Sequence, residues 1–503
     1  MNKFKTKLAA FFRGEGFTGS TITAIIIGSV IAFNVIVYAL TMKFGLYLYK
    51  PEAVDLTISG MTDALFAEPI SKGERVKVTF CRAEDEMELD EIGYFHQTAK
   101  QFAERYPDFI ELEYVNIITK RNSKGELVDL SKYQEKDAEG NAVPLYKASV
   151  IFESRIQHKT VIDIISSTFT YDSASSSYQS YNGEEVFASM VSWVLNAEHK
   201  TVYFTTFHGE AVDFGFATML TCAGYTVESL DLRKSEVPED AGLVVISNPV
   251  KDFERAAEGA THIRSEIERL RSYMERGGSI YVAIDPYSEK LHVLESFIAE
   301  YGITVPSVSR DGKDYRYIVK DSSNAITADN FTIVTEIADN EVAGAIGEQM
   351  SKYTDSNVIV KDVAALELSG NAKEIFVTSA SSSTYTGADV ADSDGGYCVA
   401  AVSVNEEDGG KESTIFVVPS IYLTANDAVV TTGYANRDFL YVMLEQLFGS
   451  YPAPNGCNMV YTSTGMLENL TMGTARTITA LLLSIPAVIA VVGAVVIVRR
   501  KNR

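Results

Sequence analysis

The residues best suited to chemistry are His208 and Glu210, on either side of Gly209. An imidazole and a carboxylate this close can act as general base and general acid. Other polar groups stand where apolar runs stop. Ser247-Asn248 follows Leu243–Ile246, Asp285 follows Ser279–Ile284, and Ser420 follows Thr414–Val418. In an open parallel sheet, ligands sit beyond the carboxyl ends of the strands. If these runs are parallel strands, His208, Gly209, Glu210, Ser247, Asn248, Asp285 and Ser420 share one rim that could hold a ligand or a partner. The plainer reading is a turn with capping groups. Gly209 tolerates positive φ, and Glu210 at a helix start would offset the helix dipole.

Catalysis has less behind it. No G-x-S-x-G elbow, H-E-x-x-H or G-x-x-x-x-G-K-[ST] sequence is present, so a serine hydrolase, a zincin or an ATPase lacks its signature. Cys222 falls inside a helical pattern near Gly224, where packing is the expected role. The four cysteines, Cys81, Cys222, Cys398 and Cys457, form no C-x-x-C and have no histidine cluster beside them. No metal site and no cofactor is expected, and the cysteine count does not force a disulfide framework.

The rim needs alternating strands and helices to build it. Thr201–Thr205 is β-branched and aromatic; the run after the His-Gly-Glu turn has helical spacing, with Val212, Phe216 and Leu220 on one side and Gly224 at its end. Leu243–Ile246 is a second strand. Ile267, Leu270 and Met274 mark a helix closed by Gly277-Gly278, and Ser279–Ile284 is a third strand. This order predicts a parallel sheet of the doubly wound kind, an α/β fold. Glu374–Ala380, Tyr397–Asn405 and Thr414–Val418 read as further strands, with Ser381–Gly396 as a polar loop. A helix after Thr432–Arg437 carries Phe439, Leu440, Met443 and Leu447.

Upstream, 52–197 reads as a first α/β domain with a thioredoxin-like or related layout. It has strands at Val76–Phe80, Ile110–Ile117, Ala148–Phe152 and Thr160–Ile165. Helices lie at Leu89–Arg105 and Glu184–Leu195, and the Ser- and Tyr-rich Ser166–Asn182 reads as a loop. The second domain spans 198–450, and 451–475 reads as a linker.

Both ends carry long charge-free runs, at 21–42 and 477–498. About 20 apolar helical residues cross a hydrocarbon core of ~30 Å. Lys3, Lys5, Lys7 and Arg13 precede the first run; Arg499, Arg500, Lys501 and Arg503 follow the second. By the positive-inside rule, 1–20 and 499–503 are cytoplasmic and everything between the two spans is outside the plasma membrane. The chain carries −23 overall, with +3 in 1–20 and +5 in 474–503, leaving −31 to residues 21–473. So acidic an outer part does not bind nucleic acid electrostatically. Asn330-Phe-Thr332 and Asn469-Leu-Thr471 match the glycosylation sequon.

Several stretches together resemble the GldG-like family of ABC-transporter auxiliary proteins, some of them linked to gliding motility. They are the lead-in VDLTISGMTDAL, VKVTF with YFHQTAKQFAERYPDFIELEYVNI, and GEEVFASMVSWVLNAEHKTVYFTTFHGE. GLVVISNP, IERLRSYMERGGSIYVAIDP and STIFVVPSIYL with GYANRDFLYVMLEQLFG complete the set. Phe207 stands where the family pattern has glycine. The match implies a flavodoxin-like, glutamine-amidotransferase-like second domain without its catalytic cysteine. Its N-x-D-F helix start gives Asn436 and Asp438, and Asn436 joins the candidate binding residues. The resemblance implies a non-enzymatic, membrane-anchored subunit whose partners are an ABC permease and an ATP-binding subunit; the cargo is not implied. Two other functions fit the same rim: a membrane-tethered hydrolase acting through His208, Glu210 and Asp285, or a surface solute receptor.

Overall fold

A computed structural model describes residues 56–461, apart from 90, 137–139, 173–176, 212, 255–263, 354–356, 388, 391–394, 408, 430–433 and 451. The charge-free runs at 21–42 and 477–498, the basic termini, Val212 and the Asn469 sequon lie outside the described residues. Among the described residues, no helix is long and apolar enough to cross a membrane. The fold is mixed α/β, and Leu56–Ser463 forms one compact unit.

Its amino-terminal region is a five-stranded sheet. Helix α1 (Thr62–Ser71) leads into β1 (Val76–Phe80), α2 (Ile92–Arg105), β2 (Ile110–Asn116), β3 (Arg121–Asn122), β4 (Val150–Glu153) and β5 (His158–Val161). The strand order is β3-β2-β1-β4-β5; β1 and β2 run parallel, while β4 is antiparallel to both β1 and β5. In α2, Ile92, Phe95, Ala99 and Phe102 recur at helical spacing and are all buried. The helix stops at Tyr106, because Pro107 disfavours a helical residue before it. The segment Ser166–Asn182, read as a loop, instead holds the end of a short helix (Ile164–Thr168) and a hairpin of β6 (Phe169–Asp172) and β7 (Ser177–Tyr181). Its aromatics pack on one another, with the Phe169 ring 4.8 Å from Tyr178 and 4.9 Å from Tyr181.

Helix α3 (Gly183–Leu195) joins this sheet to the next. It is buried over nearly its whole surface, as a helix packed on both sides must be. Phe187 stacks on Phe102 of α2 at 4.3 Å and meets Phe152 of β4 edge-on at 5.5 Å. Arg437 and Tyr441, 252 and 256 residues further along the chain, reach its Glu185.

The second sheet has eight strands: β8 (Thr201–Thr205), β9 (Thr226–Leu230), β10 (Ala241–Ser247), β11 (Ser279–Ala283), β12 (Glu336–Ile337), β13 (Lys373–Val377), β14 (Cys398–Glu407) and β15 (Lys411–Val418). Their order is β12-β13-β14-β15-β11-β10-β8-β9. From β15 to β9 all neighbours are parallel. The β15-to-β12 side is antiparallel, which departs from an all-parallel sheet. The cause is local. Gly409-Gly410, at φ +93° and +73°, closes a hairpin between β14 and β15, and strands joined by so short a turn can only pair antiparallel.

Helices α4 (Phe214–Cys222), α5 (Glu266–Met274), α6 (His292–Glu300), α7 (Glu341–Met350) and α8 (Asn436–Phe448) cover this sheet. Phe216 and Leu220 of α4 are buried, and Gly224 follows its end at φ +89°, as the spacing predicts. Ser381–Gly396, expected to be a loop, contains strands Ser382–Thr386 and Asp389–Val390. The expected linker also contributes a strand, Val460–Tyr461, which pairs with Ser180 and Tyr181 of β7. All four cysteines are buried and free.

Candidate functional site

The carboxyl ends of β8, β10, β11 and β15 do share one rim, because these four strands are parallel neighbours. At the end of β8 the chain turns sharply. Phe207 has φ +82°, a region a bulky residue rarely enters, and Gly209 follows at φ +85°. A Cβ at Gly209 would also come within 3.1 Å of the Val250 side chain, so glycine answers both to the backbone and to the close approach. The His208 carbonyl accepts from the backbone N–H groups of Val250 and Lys251, both at 2.8 Å, and Ala211 N–H donates to Ser247 O at 3.2 Å. The loops after β8 and β10 are therefore locked together.

That lock turns the His208 side chain inward, where it is 3 % exposed. Its ring stacks on Phe253 at 4.1 Å, with planes 8° apart. Nδ1 lies 2.8 Å from Glu210 Oε1, and Nε2 lies 3.1 Å from Glu266 Oε1. Glu210 Oε2 also accepts the His208 backbone N–H at 2.7 Å, and Glu266 Oε2 accepts that of Glu254 at 2.7 Å. Burial alone would disfavour the imidazolium. The hydrogen bonds and charges of the two carboxylates outweigh it and raise the His208 pKa to about 9. Burial opposes ionisation of Glu210 as well, yet the hydrogen bond from His208 and two backbone N–H groups hold its carboxyl below the usual range.

At neutral pH His208 is thus a cation donating both N–H groups, with no lone pair left to accept a proton. Its hydrogen-bond partners are the two carboxylates; among the described residues, no serine, threonine or cysteine joins them. This is a poor general base and a good internal tie between the β8 loop and α5. Glu210 does not begin a helix. Helix α4 starts later, at Phe214, and the Glu210 carboxylate turns back to His208 instead.

The other rim residues serve the backbone. Asp285 accepts Tyr287 N–H at 2.9 Å and gives its carbonyl to Arg316 at 3.2 Å, with no bond to His208 or Glu210. Ser247 is 7 % exposed, and Asn248, at φ +53°, donates its N–H to Ala283 O at 2.9 Å. Ser420 Oγ donates to Lys361 O at 2.6 Å and accepts Tyr422 N–H at 3.2 Å. Asn436 is fully buried. Its amide pairs with both backbone groups of Ile359, at 3.0 and 2.9 Å, as a neighbouring strand would. Asp438 is half-buried, and burial pushes its pKa up.

Glu266 escaped sequence reasoning. It opens α5, whose start is fixed by a capping box: Ser265 Oγ accepts Glu268 N–H, and Glu268 accepts Ser265 N–H. In sequence it is one of two acids in an ordinary first turn, and its partner lies 58 residues away. A second buried group escaped as well. Glu184 accepts Ser59 N–H (2.8 Å), Ser59 Oγ–H (2.6 Å) and Asn458 N–H (2.8 Å). Beside it, Glu185 pairs with Arg437 at 2.7 Å and accepts from Tyr441.

No family model matches the chain, and no curated protein does. Among solved structures, the mmIFT52 N-terminal domain is 14 % identical, with 49 % of this chain and 96 % of that one covered and a TM-score of 0.35. PurLQS from Thermotoga maritima is 10 % identical, covering 49 % and 98 %, with a TM-score of 0.28. A glutamine amidotransferase from Thermotoga maritima is 12 % identical, covering 50 % and 100 %, with a TM-score of 0.28.

Proposed function

We propose that this chain is a non-enzymatic, membrane-anchored auxiliary subunit of an ABC transporter complex. Its two α/β domains, 52–197 and 198–450, hang outside the plasma membrane between spans at 21–42 and 477–498, with both termini cytoplasmic. The observation that carries this reading is where the compact unit begins and ends. Asn458 Nδ2 donates to Thr57 O at 2.7 Å, and Glu184 bridges Ser59 and Asn458. The chain enters and leaves this unit at one place, which suits a domain with a membrane span on each flank. The charge-free runs with basic outer flanks, and the resemblance to the GldG-like family, supply the membrane and the transporter.

The state of His208 weighs against the hydrolase alternative. A hydrolase at this rim needs a base with a free lone pair within reach of a nucleophile. His208 instead spends both nitrogens on carboxylates. Isolation from membranes in mild detergent is expected to bring down a multi-span permease and an ATP-binding subunit. Repeated recovery of this chain alone would sink the proposal.

A further inference from the structure

The five-stranded sheet has an open edge. β1 covers β2 on one side from Ile110 to Tyr114, whereas β3 meets it on the other only at Val115 and Asn116. Val76 N–H donates to Phe109 O at 2.8 Å, and the bonds of a parallel ladder leave a strand at alternate residues. Phe109, Glu111 and Glu113 therefore face β1, and the N–H and C=O of Leu112 point away from it. Among the described residues, nothing bonds to those two groups. A cavity of about 540 Å³ opens beside them, lined by Ile110, Glu111 and Leu112 with Arg75, Lys77 and Glu153. Unused backbone donors and acceptors on a sheet edge are a template for one more strand.

The side chains define what kind of strand fits. Ile110, Leu112 and Tyr114 lie on the face that packs into the core, with Leu112 half-buried. Glu111 and Glu113 lie on the other face. Lys77, opposite Glu111 in register, gives its ammonium to Glu113 at 3.4 Å and to Glu153 at 3.1 Å instead. Lys132 also meets Glu153, at 2.9 Å. Glu111 is exposed and, among the described residues, forms no ion pair. A second copy of this chain is a poor occupant. Antiparallel pairing centred on Leu112 would set Glu111 of each copy against Glu113 of the other, and like charges directly opposite destabilise a ladder. A strand with a basic residue at that position meets no such repulsion.

We propose that the outer edge of β2 takes up, as an added strand, an extended segment of a partner protein in which apolar residues alternate with lysine or arginine. The backbone of Leu112 supplies the hydrogen bonds, the side chains of Ile110 and Leu112 meet the apolar positions, and Glu111 selects the basic one. The site deepens the subunit reading given above and rests on it only for the existence of a partner.

The test uses the full chain in neutral-lipid nanodiscs, with empty nanodiscs as the blank. The probe is a short labelled peptide in which valine alternates with lysine. Two derivatives carry backbone N-methyl groups, one on the valines and the other on the lysines. A strand bonds its neighbour through alternate residues, so one derivative should bind as the parent does and the other at least about tenfold more weakly. Leu112→Pro removes an N–H that the fold does not use, a change an edge strand tolerates, and should abolish binding. Val227→Pro, on β9 where the N–H faces away from β8 by the same alternation, should leave binding intact. Glu111→Lys should remove the parent's advantage over a peptide with glutamate in place of lysine. Failure of the parent to bind, equal affinities of the two N-methylated derivatives, or a loss in Val227→Pro that matches Leu112→Pro overturns the added strand. A concentration-dependent dimer that Leu112→Pro abolishes overturns it as well, because the edge then belongs to a second copy. Co-isolation with a permease and an ATPase is scored separately, so the transporter reading stands or falls on its own result.

Discussion

Replacing His208 by glutamine tests the buried tie directly. In the unfolded chain His208 titrates near 6.5, and in the folded protein near 9. A group whose folded pKa is raised contributes its full stability below the unfolded value and loses it as pH climbs through the folded one. The window is therefore pH 6.5 to about 9, and at about 1.4 kcal/mol per pH unit the tie is worth roughly 3 kcal/mol. Glu210 has the opposite sign. Its folded pKa is lowered, so its share is present above 4.5 and fades as pH falls through the folded value. The assay is urea unfolding of the full chain in neutral detergent, read by the fluorescence of Trp193, the single tryptophan. At a slope of roughly 3 kcal/mol per molar urea, His208→Gln should lower the midpoint by about 1 M near pH 6.5. Above pH 9 to 10 the gap should close, because the wild-type imidazole is then neutral as well. A wild-type curve that is flat across this window, or a variant that runs parallel to it, would refute the reasoning.

Three further outcomes follow from the geometry. Arg437→Met strands Glu185 in the core and should cost about 3–5 kcal/mol in the same unfolding assay, while adding Glu185→Gln should recover some of the loss. Gly209→Ala must hold φ +85° and press on Val250, so a cost of about 1–3 kcal/mol is expected, with a smaller penalty at the open Gly312. Protease added to cells with the outer envelope opened should digest the middle of the chain and spare tags on both termini; loss of a terminal tag would overturn the proposed topology.

Hydrophobic periodicity found β8, α4, β10, α5 and β11, since each buries a continuous apolar run or stripe. It missed elements built from small polar residues. In Ser382–Thr386 the buried positions are Ser382, Thr384 and Thr386, which alternate as a strand requires but score as loop. The β6–β7 hairpin was hidden in the same way by its serines, although Phe169 and Tyr181 anchor it. For the site, the gathering of strand ends on one rim was legible, because parallel order follows from alternating strands and helices. The pairing of His208 with Glu266 rather than Asp285 was not. It depends on how α5 seats against the β8 loop, and nothing local in the sequence encodes that.

The meeting of the unit's two ends also fixes how it would respond to a pull. Tension along both flanks would act first on the Gln101 bonds to Leu56 and Ile58, the Thr57–Asn458 bond, the Glu184 bridge and the two-residue pairing of Val460–Tyr461 with β7. These are few contacts, each worth about 0.5–1.5 kcal/mol, and they would break in succession rather than together. A load too small to disturb the core could therefore peel the exit strand away from β7 and free Glu184, while Glu185 still holds Arg437.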